Sequence, residues 1–400
     1  MKTLKKYTFI LLAAFLTTFG MASCSDEPEP PEPEEPTHRT LIIYMAADNS
    51  LLSASRENLK DIKTAVSKGA LQGGRIILFY DYSATEAPYL AEITEETGDF
   101  VKIKEYDGQV SCLDRDRMNE VIKDAMRAAP AEEYGLILWS HGTGWINESD
   151  SRSSSASSRA ATDGLINPYS FGHDINPVST KMSITSLASA LEDFHFKFIY
   201  FDCCFMATIE TIYELRNTAD YIIGSPTELP VEGMPYLTNI PQMMAKELQP
   251  ATIAKNTLDY YLSGQASYPW CTITAIDTSA AEDVAAATKA IMETGALNSA
   301  NYVPLPYYRS SVPSYTWDFA DIINNLNVDD DAKNLWKRPW QRLIIYYGHT
   351  DICYFVPMAG TAGLGSFYYS DNTVQWAKEY GYDSLSWWRD VVSFNPSINL

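Results

Sequence analysis

An α/β fold with a mostly parallel central sheet, covered on both faces, is what this sequence predicts. Its main apolar runs are continuous rather than alternating, as strands buried on both faces require. Amphipathic helical stretches stand between those runs, and turn residues mark the junctions. With 400 residues, 46% of them hydrophobic and 12% aromatic, the chain can bury a large core.

The first apolar run, "TLIIYMAAD" (40–48), ends in polar residues. "SASRENLKDIKTAVSKG" then sets Leu59, Ile62 and Val66 at helical spacing and closes on Gly69, a C-cap residue. "RIILFYDY" (75–82) predicts a second buried strand. "PYLAEITEETGDFVKIKEY" alternates on either side of Thr97-Gly98, which predicts a hairpin beside the sheet. "DRDRMNEVIKDAMRAAP" predicts an amphipathic helix stopped by proline. "YGLILWSHGTGW" (134–145) predicts a buried strand running into a Gly-rich turn that carries His141. The polar "INESDSRSSSASSRAATDG" predicts a loop.

The pattern resumes with a helix at "SITSLASALEDF", a strand at "FKFIYFDCC", a helix at "ATIETIYELRN" and a strand at "DYIIGSPTE". Beyond about residue 265 come a strand near "WCTITAID", a helix over "AEDVAAATKAIMETG" and a remainder rich in Tyr and Trp, without an internal repeat. Repeated β/α units place functional groups in the loops at the carboxyl ends of strands. His141 and Cys204 both occupy such ends.

Residues 1–23 have the form of a signal peptide: three lysines, an apolar run too short for a stable membrane span, then small residues before Cys24. Met21-Ala22-Ser23-Cys24 resembles a bacterial lipobox, so Cys24 is the expected lipidation site. The following "SDEPEPPEPEEP" holds six acids and five prolines, which predicts a solvated tether over 24–38. It is similar to the acidic segments that direct lipoproteins of Bacteroidetes-type bacteria to the cell surface. The expected location is therefore the bacterial outer membrane or cell surface, with membrane contact through a lipid anchor only.

Formal net charge is −21. Phosphate contact needs clustered Lys and Arg, so nucleic acid is excluded as a partner and cationic ligands are favoured. Acidity also serves simple solubility. Apart from Cys24 the cysteines are Cys112, Cys203, Cys204, Cys271 and Cys353, an odd set that leaves at least one thiol unpaired. Their spacing with the histidines suggests no zinc site.

Cys112, Cys271 and Cys353 read as small core residues. Cys204 differs, because it ends a strand just before a helix whose first amides would stabilise a thiolate. Strand alternation turns Cys203 to the opposite side. Of the five histidines, only His141 ends a buried strand beside glycines. A thiol and an imidazole at neighbouring strand ends form a nucleophile and proton shuttle, and amides in the same turns can form an oxyanion hole.

"YMAADN", "LILWSHGTGW", "FDCCFMATIE" and "GSPTELPVEGMPY" together resemble the clostripain family of cysteine peptidases (peptidase family C11), in the clan of caspases, legumain and gingipains. The resemblance runs from about residue 40 through "CYFVPMAGTAGLGSFYY". It implies a caspase-like α/β/α sandwich, with a peptidase domain over 39–262 and a smaller C-terminal subdomain over 263–400 that completes the fold. The family histidine falls on His141 and the nucleophile on Cys204. Gly142 N–H and Cys204 N–H would hold the oxyanion.

The resemblance further implies cleavage after Arg or Lys, in peptide or protein substrates. Asp202 matches one pocket acid, with a strand-end cap as its structural alternative, and Glu232 matches a second. Relatives mature by self-cleavage after the catalytic histidine; in the 146–181 segment the candidates are Arg159, Arg152 and Lys181. No cofactor is required, although calcium is possible by family resemblance. Asp329, Asp330 and Asp331 in "VDDDAK" lack ordered ligand spacing and predict a helix N-cap instead. Relatives of this architecture act as monomers. The competing reading is a catalytically silent surface lipoprotein that binds peptides or proteins on the same scaffold.

Overall fold

β1 (Thr37–Ala46) occupies the middle of the main sheet, paired in parallel with β2 (Arg75–Asp81) on one side and β5 (Ala131–Trp139) on the other. The structure is a computed structural model that describes residues 36–146, 170–307, 316–370 and 373–398. Cys24, Arg152 and Arg159 lie outside the described residues.

From β5 the sheet continues in parallel through β8 (Phe196–Asp202) and β9 (Ala219–Gly224). β3 (Tyr89–Ile93) and β4 (Phe100–Glu105) add to the β2 edge in antiparallel fashion, as the alternating hairpin sequence predicts. On the far edge β10 (Thr272–Asp277) runs antiparallel to β9, and β12 (Ile344–His349) antiparallel to β10. Among the described residues these nine strands form one sheet, in the order β12-β10-β9-β8-β5-β1-β2-β3-β4.

The continuous apolar runs are explained by two separate cores. Ile42 and Tyr44 face one core with Leu136, Leu138, Ile199 and Phe201. Leu41, Ile43 and Met45 face the other with Ile137, Phe198 and Tyr200. A strand that buries both faces has no polar side to alternate with. The helices cover these faces by the same logic: Leu52–Ser67 buries Ser55, Asn58, Ile62, Ala65 and Val66, and Gly69 follows it at φ +79°, the left-handed conformation that ends helices.

One boundary differs from expectation. The helix after Cys204 spans Ile209–Glu214, with Thr208 as its cap and Oγ1 accepting from Thr211 N at 3.3 Å. Cys204–Ala207 form a turn in which Phe205 takes φ 60°. Among the described residues no helix is long and apolar enough to cross a membrane.

Candidate active site

Trp139 at the end of β5 pairs in register with Asp202 at the end of β8. His141 and Cys204 each follow by two residues, so they leave adjacent parallel strands at the same level. The two turns are in contact. A Cβ on Gly142 would meet the Cys204 carbonyl oxygen at 2.5 Å and Cys203 Sγ at 3.3 Å, so this approach needs glycine. Thr143 N donates to Ser170 O at 3.0 Å and Gly172 N to His141 O at 2.9 Å. Gly142 thus faces Phe171 as a non-hydrogen-bonded pair, and the ladder does not consume its N–H.

Ser50 Oγ lies 3.0 Å from His141 Nε2. Asn49 fixes the turn that presents Ser50: its Nδ2 donates to Ala46 O (2.9 Å) and His173 O (2.7 Å), and its Oδ1 accepts from Leu51 N (2.8 Å). Burial, and then the neighbouring His173 with its ring centre 6.2 Å away, push His141 down to about 4. The imidazole is therefore neutral at physiological pH.

Cys204 is half-buried, and its Sγ accepts from Leu229 N at 3.3 Å. Burial pushes the thiol up to about 12; the Leu229 amide opposes that shift, while Glu228 and Asp202 add to it. This corrects the expectation of a thiolate stabilised by helix amides, because burial outweighs the Leu229 amide that reaches the sulfur. Cys203 is buried in the opposite core with Ile199 and Phe201, as alternation predicts. Cys112, Cys271 and Cys353 are likewise buried and free.

The Asp202 carboxylate is buried and holds a turn in place. Oδ1 accepts from Met234 N at 2.9 Å and Oδ2 from Tyr236 Oη at 2.8 Å. Gly233, at φ +65°, lets the chain pass so close that a Cβ there would lie 2.7 Å from Oδ1. Burial raises Asp202 to about 7 in spite of these two donors. Next to it, Glu232 Oε1 accepts from Ser267 N (2.9 Å) and Tyr268 N (3.3 Å). Glu232 Oε2 is buried without a hydrogen-bond partner among the described residues. Tyr261, whose hydroxyl donates to Gly233 O at 2.7 Å, feels both acids.

Lys181 lies in β7 (Thr180–Met182), paired with β6 (Phe171–Asp174). The segment expected to be a loop through residue 181 therefore ends in a hairpin. Asp329 caps the helix Asp330–Leu343, accepting from Ala332 N at 2.7 Å, as its sequence context predicts. The grouping of potential metal ligands among the described residues is Asp81, Cys112 and Asp174, with ligand atoms within 4.8 Å of one another. Two carboxylates and a thiol fall short of the roughly six to eight oxygens that calcium takes. Asp174 Oδ2 also already accepts from Cys112 N at 3.0 Å, so these residues do not fit calcium.

Sequence reasoning missed Ser50 and Leu229. Both act on the candidate pair through contacts from distant parts of the chain. The nearest sequence signals were the "YMAADN" run, which stops one residue before Ser50, and "GSPTELPVEGMPY", which contains Leu229 without marking its contact.

The Clostripain family profile matches residues 43–352. An inactive zymogen C11 protease from Parabacteroides distasonis shares 28% identity over 89% of this chain and 99% of its own, with a TM-score of 0.75. A secreted C11 cysteine protease from Bacteroides thetaiotaomicron, in complex with an irreversible peptide inhibitor, shares 26% over 88% of this chain and 98% of its own, with a TM-score of 0.71. A structure of a secreted C11 cysteine protease from the same organism, at 22% identity over 89% and 100% with a TM-score of 0.76, bears on the fold alone. No protein of curated function matches by sequence. The profile match over most of the chain shows the family: the chain belongs to the clostripain family of cysteine peptidases.

Proposed function

We propose that the chain is a cysteine endopeptidase that hydrolyses peptide bonds after Arg or Lys, with Cys204 as nucleophile and His141 as proton shuttle. The observation that carries this is the Trp139–Asp202 register, which sets the two side chains on adjacent strand ends with Gly142 packed against Cys204. Burial opposes charge on both groups, so the resting pair is a neutral thiol and a neutral imidazole. His141 takes the thiol proton as Sγ attacks the carbonyl carbon. Gly142 N–H and Cys204 N–H hold the oxyanion.

The adduct collapses as His141 passes that proton to the leaving amine, and the acyl group remains as a thioester on Cys204. Water then adds while His141 accepts its proton, and collapse returns the thiol and releases a carboxylate. Ser50 keeps the imidazole oriented through both steps. The inhibitor-bound relative supports peptides as the substrate class.

The basic-residue preference is supported by the Glu232 carboxylate, which is anchored through Oε1 and whose Oε2 has no hydrogen-bond partner among the described residues, with Asp202 nearby. Maturation is self-cleavage after Arg159, with Arg152 and Lys181 as the alternative bonds; the zymogen relative supports a precursor. Residues 39–262 form the peptidase domain, and 263–400 complete it. The mature protein is a monomer held at the bacterial surface by a lipid on Cys24.

The test compares the wild-type chain with Cys204→Ala on Arg, Lys and neutral-residue fluorogenic peptides. Wild type should cleave the basic peptides and the variant none; equal rates would sink the assignment. A protein that remains one chain under reducing conditions while cleaving Arg peptides well would remove the self-cleavage. An N-terminal peptide without diacylglycerol on Cys24 would remove the anchor.

A further inference from the structure

Beside the candidate site stands a group of solvent-facing aromatics that the catalytic steps do not use. β13 (Ile352–Cys353) and β14 (Val356–Pro357) form a short hairpin in which Cys353 pairs with Val356. Its tip is Tyr354-Phe355. Two-residue tips favour Asn and Gly because they need left-handed backbone, yet here Tyr354 adopts φ 55°. Phe355 is 66% exposed, Ile352 54%, Tyr268 53% and Tyr354 44%. Tyr354 and Phe355 contact each other at 4.3 Å between ring centres, and Trp270 meets Tyr354 at 5.5 Å. Exposed aromatic side chains in contact, as Trp270, Tyr354 and Phe355 are, mark binding surfaces.

The group is tied to the site from two directions. Below the tip, Cys353 Sγ contacts Thr227 Oγ1 at 3.0 Å and Glu228 O at 3.8 Å, and the next residue, Leu229, donates its N–H to Cys204 Sγ at 3.3 Å. To one side, the Tyr268 and Ser267 amides hold the Glu232 carboxylate. The segments that carry the aromatics therefore pack against the residues before Leu229 and hold the acid proposed to receive the basic side chain.

Strand order decides which part of a substrate reaches them. His141, at the end of β5, must protonate the leaving amine, so the leaving segment lies on the β5 side of Cys204. The acyl segment then lies on the other side, over β9 and β10, where the hairpin meets the chain: Cys353 touches Thr227 just after β9, and Thr350 N donates to Cys271 O just before β10 at 3.0 Å. We infer that Tyr268, Trp270, Tyr354 and Phe355 form a subsite for an apolar side chain, aromatic or branched, in the two residues preceding the basic residue of a peptide substrate. This rests on the peptidase reading and narrows its substrate class: the preferred sequence is apolar next to basic, not basic alone.

The test uses the full chain and matched fluorogenic tripeptides ending in Arg: Gly-Gly-Arg, Gly-Phe-Arg, Phe-Gly-Arg and Gly-Leu-Arg. The wild type should prefer an apolar residue in at least one position by about tenfold or more in kcat/KM over Gly-Gly-Arg, as one well-placed apolar group supplies. Phe355→Ser combined with Tyr354→Ser should bring that ratio close to one. No wild-type preference, or a preference that survives both substitutions, overturns the subsite. A change only in self-association or vesicle binding does the same, since the surface then serves another partner. If no peptide is hydrolysed, the peptidase reading fails separately. The subsite is then read from binding of the same peptides to Cys204→Ala, where equal affinity for Gly-Gly-Arg and its Phe analogues overturns it.

Discussion

Ser50 Oγ sits 3.0 Å from Nε2 of His141, on a turn that the Asn49 side chain fixes through four hydrogen bonds. One ring nitrogen is therefore engaged by a hydroxyl that is itself exposed and contributes little to the core. Ser50→Ala should lower kcat by about tenfold, the worth of roughly one hydrogen bond, with KM and the thermal midpoint unchanged. Ser50→Thr should restore most of the rate. Steady-state kinetics on an Arg peptide check this, and an unchanged kcat in the alanine variant would refute the orienting role.

The thiol of Cys204 is raised to about 12 and the imidazole of His141 is lowered to about 4, so each group resists its charged form at neutral pH. Alkylation of Cys204 by neutral iodoacetamide should climb steadily above pH 8. It should lack the plateau between about pH 5 and 8 that a thiolate–imidazolium pair produces. Rate against pH, with mass spectrometry to assign the residue, distinguishes the two.

Asp202, raised by burial to about 7, is half-protonated near neutrality. A cationic ligand favours its ionised form, so binding an Arg side chain there should expel a proton. The sign follows: affinity for a small guanidinium inhibitor should rise as pH increases through about 7, and Asp202→Asn should flatten that dependence. An inhibition constant independent of pH in the wild type would leave Asp202 only its role of holding Met234 and Tyr236.

Glu210, on the helix after the nucleophile turn, is fully buried and its Oε1 accepts from Phe367 N (2.9 Å), Tyr382 Oη (2.7 Å) and Ser366 Oγ (3.1 Å). Trp145, four residues after His141, packs edge-on against Phe367 and Tyr382 at 5.0 and 4.7 Å. One carboxylate thus binds the C-terminal aromatics under the histidine turn. Glu210→Ala takes the acceptor from the buried Phe367 N–H and Tyr382 hydroxyl and should cost about 2 kcal/mol or more. Thermal or urea unfolding measures it, and a loss below about 1 kcal/mol would contradict this accounting.

Much of the architecture was legible because the signals are local. Runs such as "LIIYMA" and "LILW" are apolar on both sides of the strand, and only a doubly covered sheet accepts that. The β3–β4 hairpin was legible from its alternation, and the Asp329 cap from its place before "DDAKNLW". The edge strand β12 was not, because "IIYYGH" follows directly on a helix that carries Trp336, Pro339 and Trp340 and is separated from it by no turn residue.

The sequence by itself determined the order of the elements and set His141 and Cys204 at strand ends, since both depend on residue type and spacing over a dozen positions. Only the tertiary structure decided that β5 and β8 are neighbours in the register that aligns the pair. It also decided that Ser50 reaches the histidine, that Leu229 reaches the thiol, and that Cys353, at the base of the Tyr354-Phe355 tip, meets Thr227 and Glu228 just before Leu229. The physical reason is that strand partners, burial and the pKa shifts that follow from burial are set by contacts between residues far apart in the chain. Local spacing carries none of that information. The expected helix-stabilised thiolate shows the consequence: the helix is where a local reading puts it to within two residues, yet burial pushes the thiol in the opposite direction.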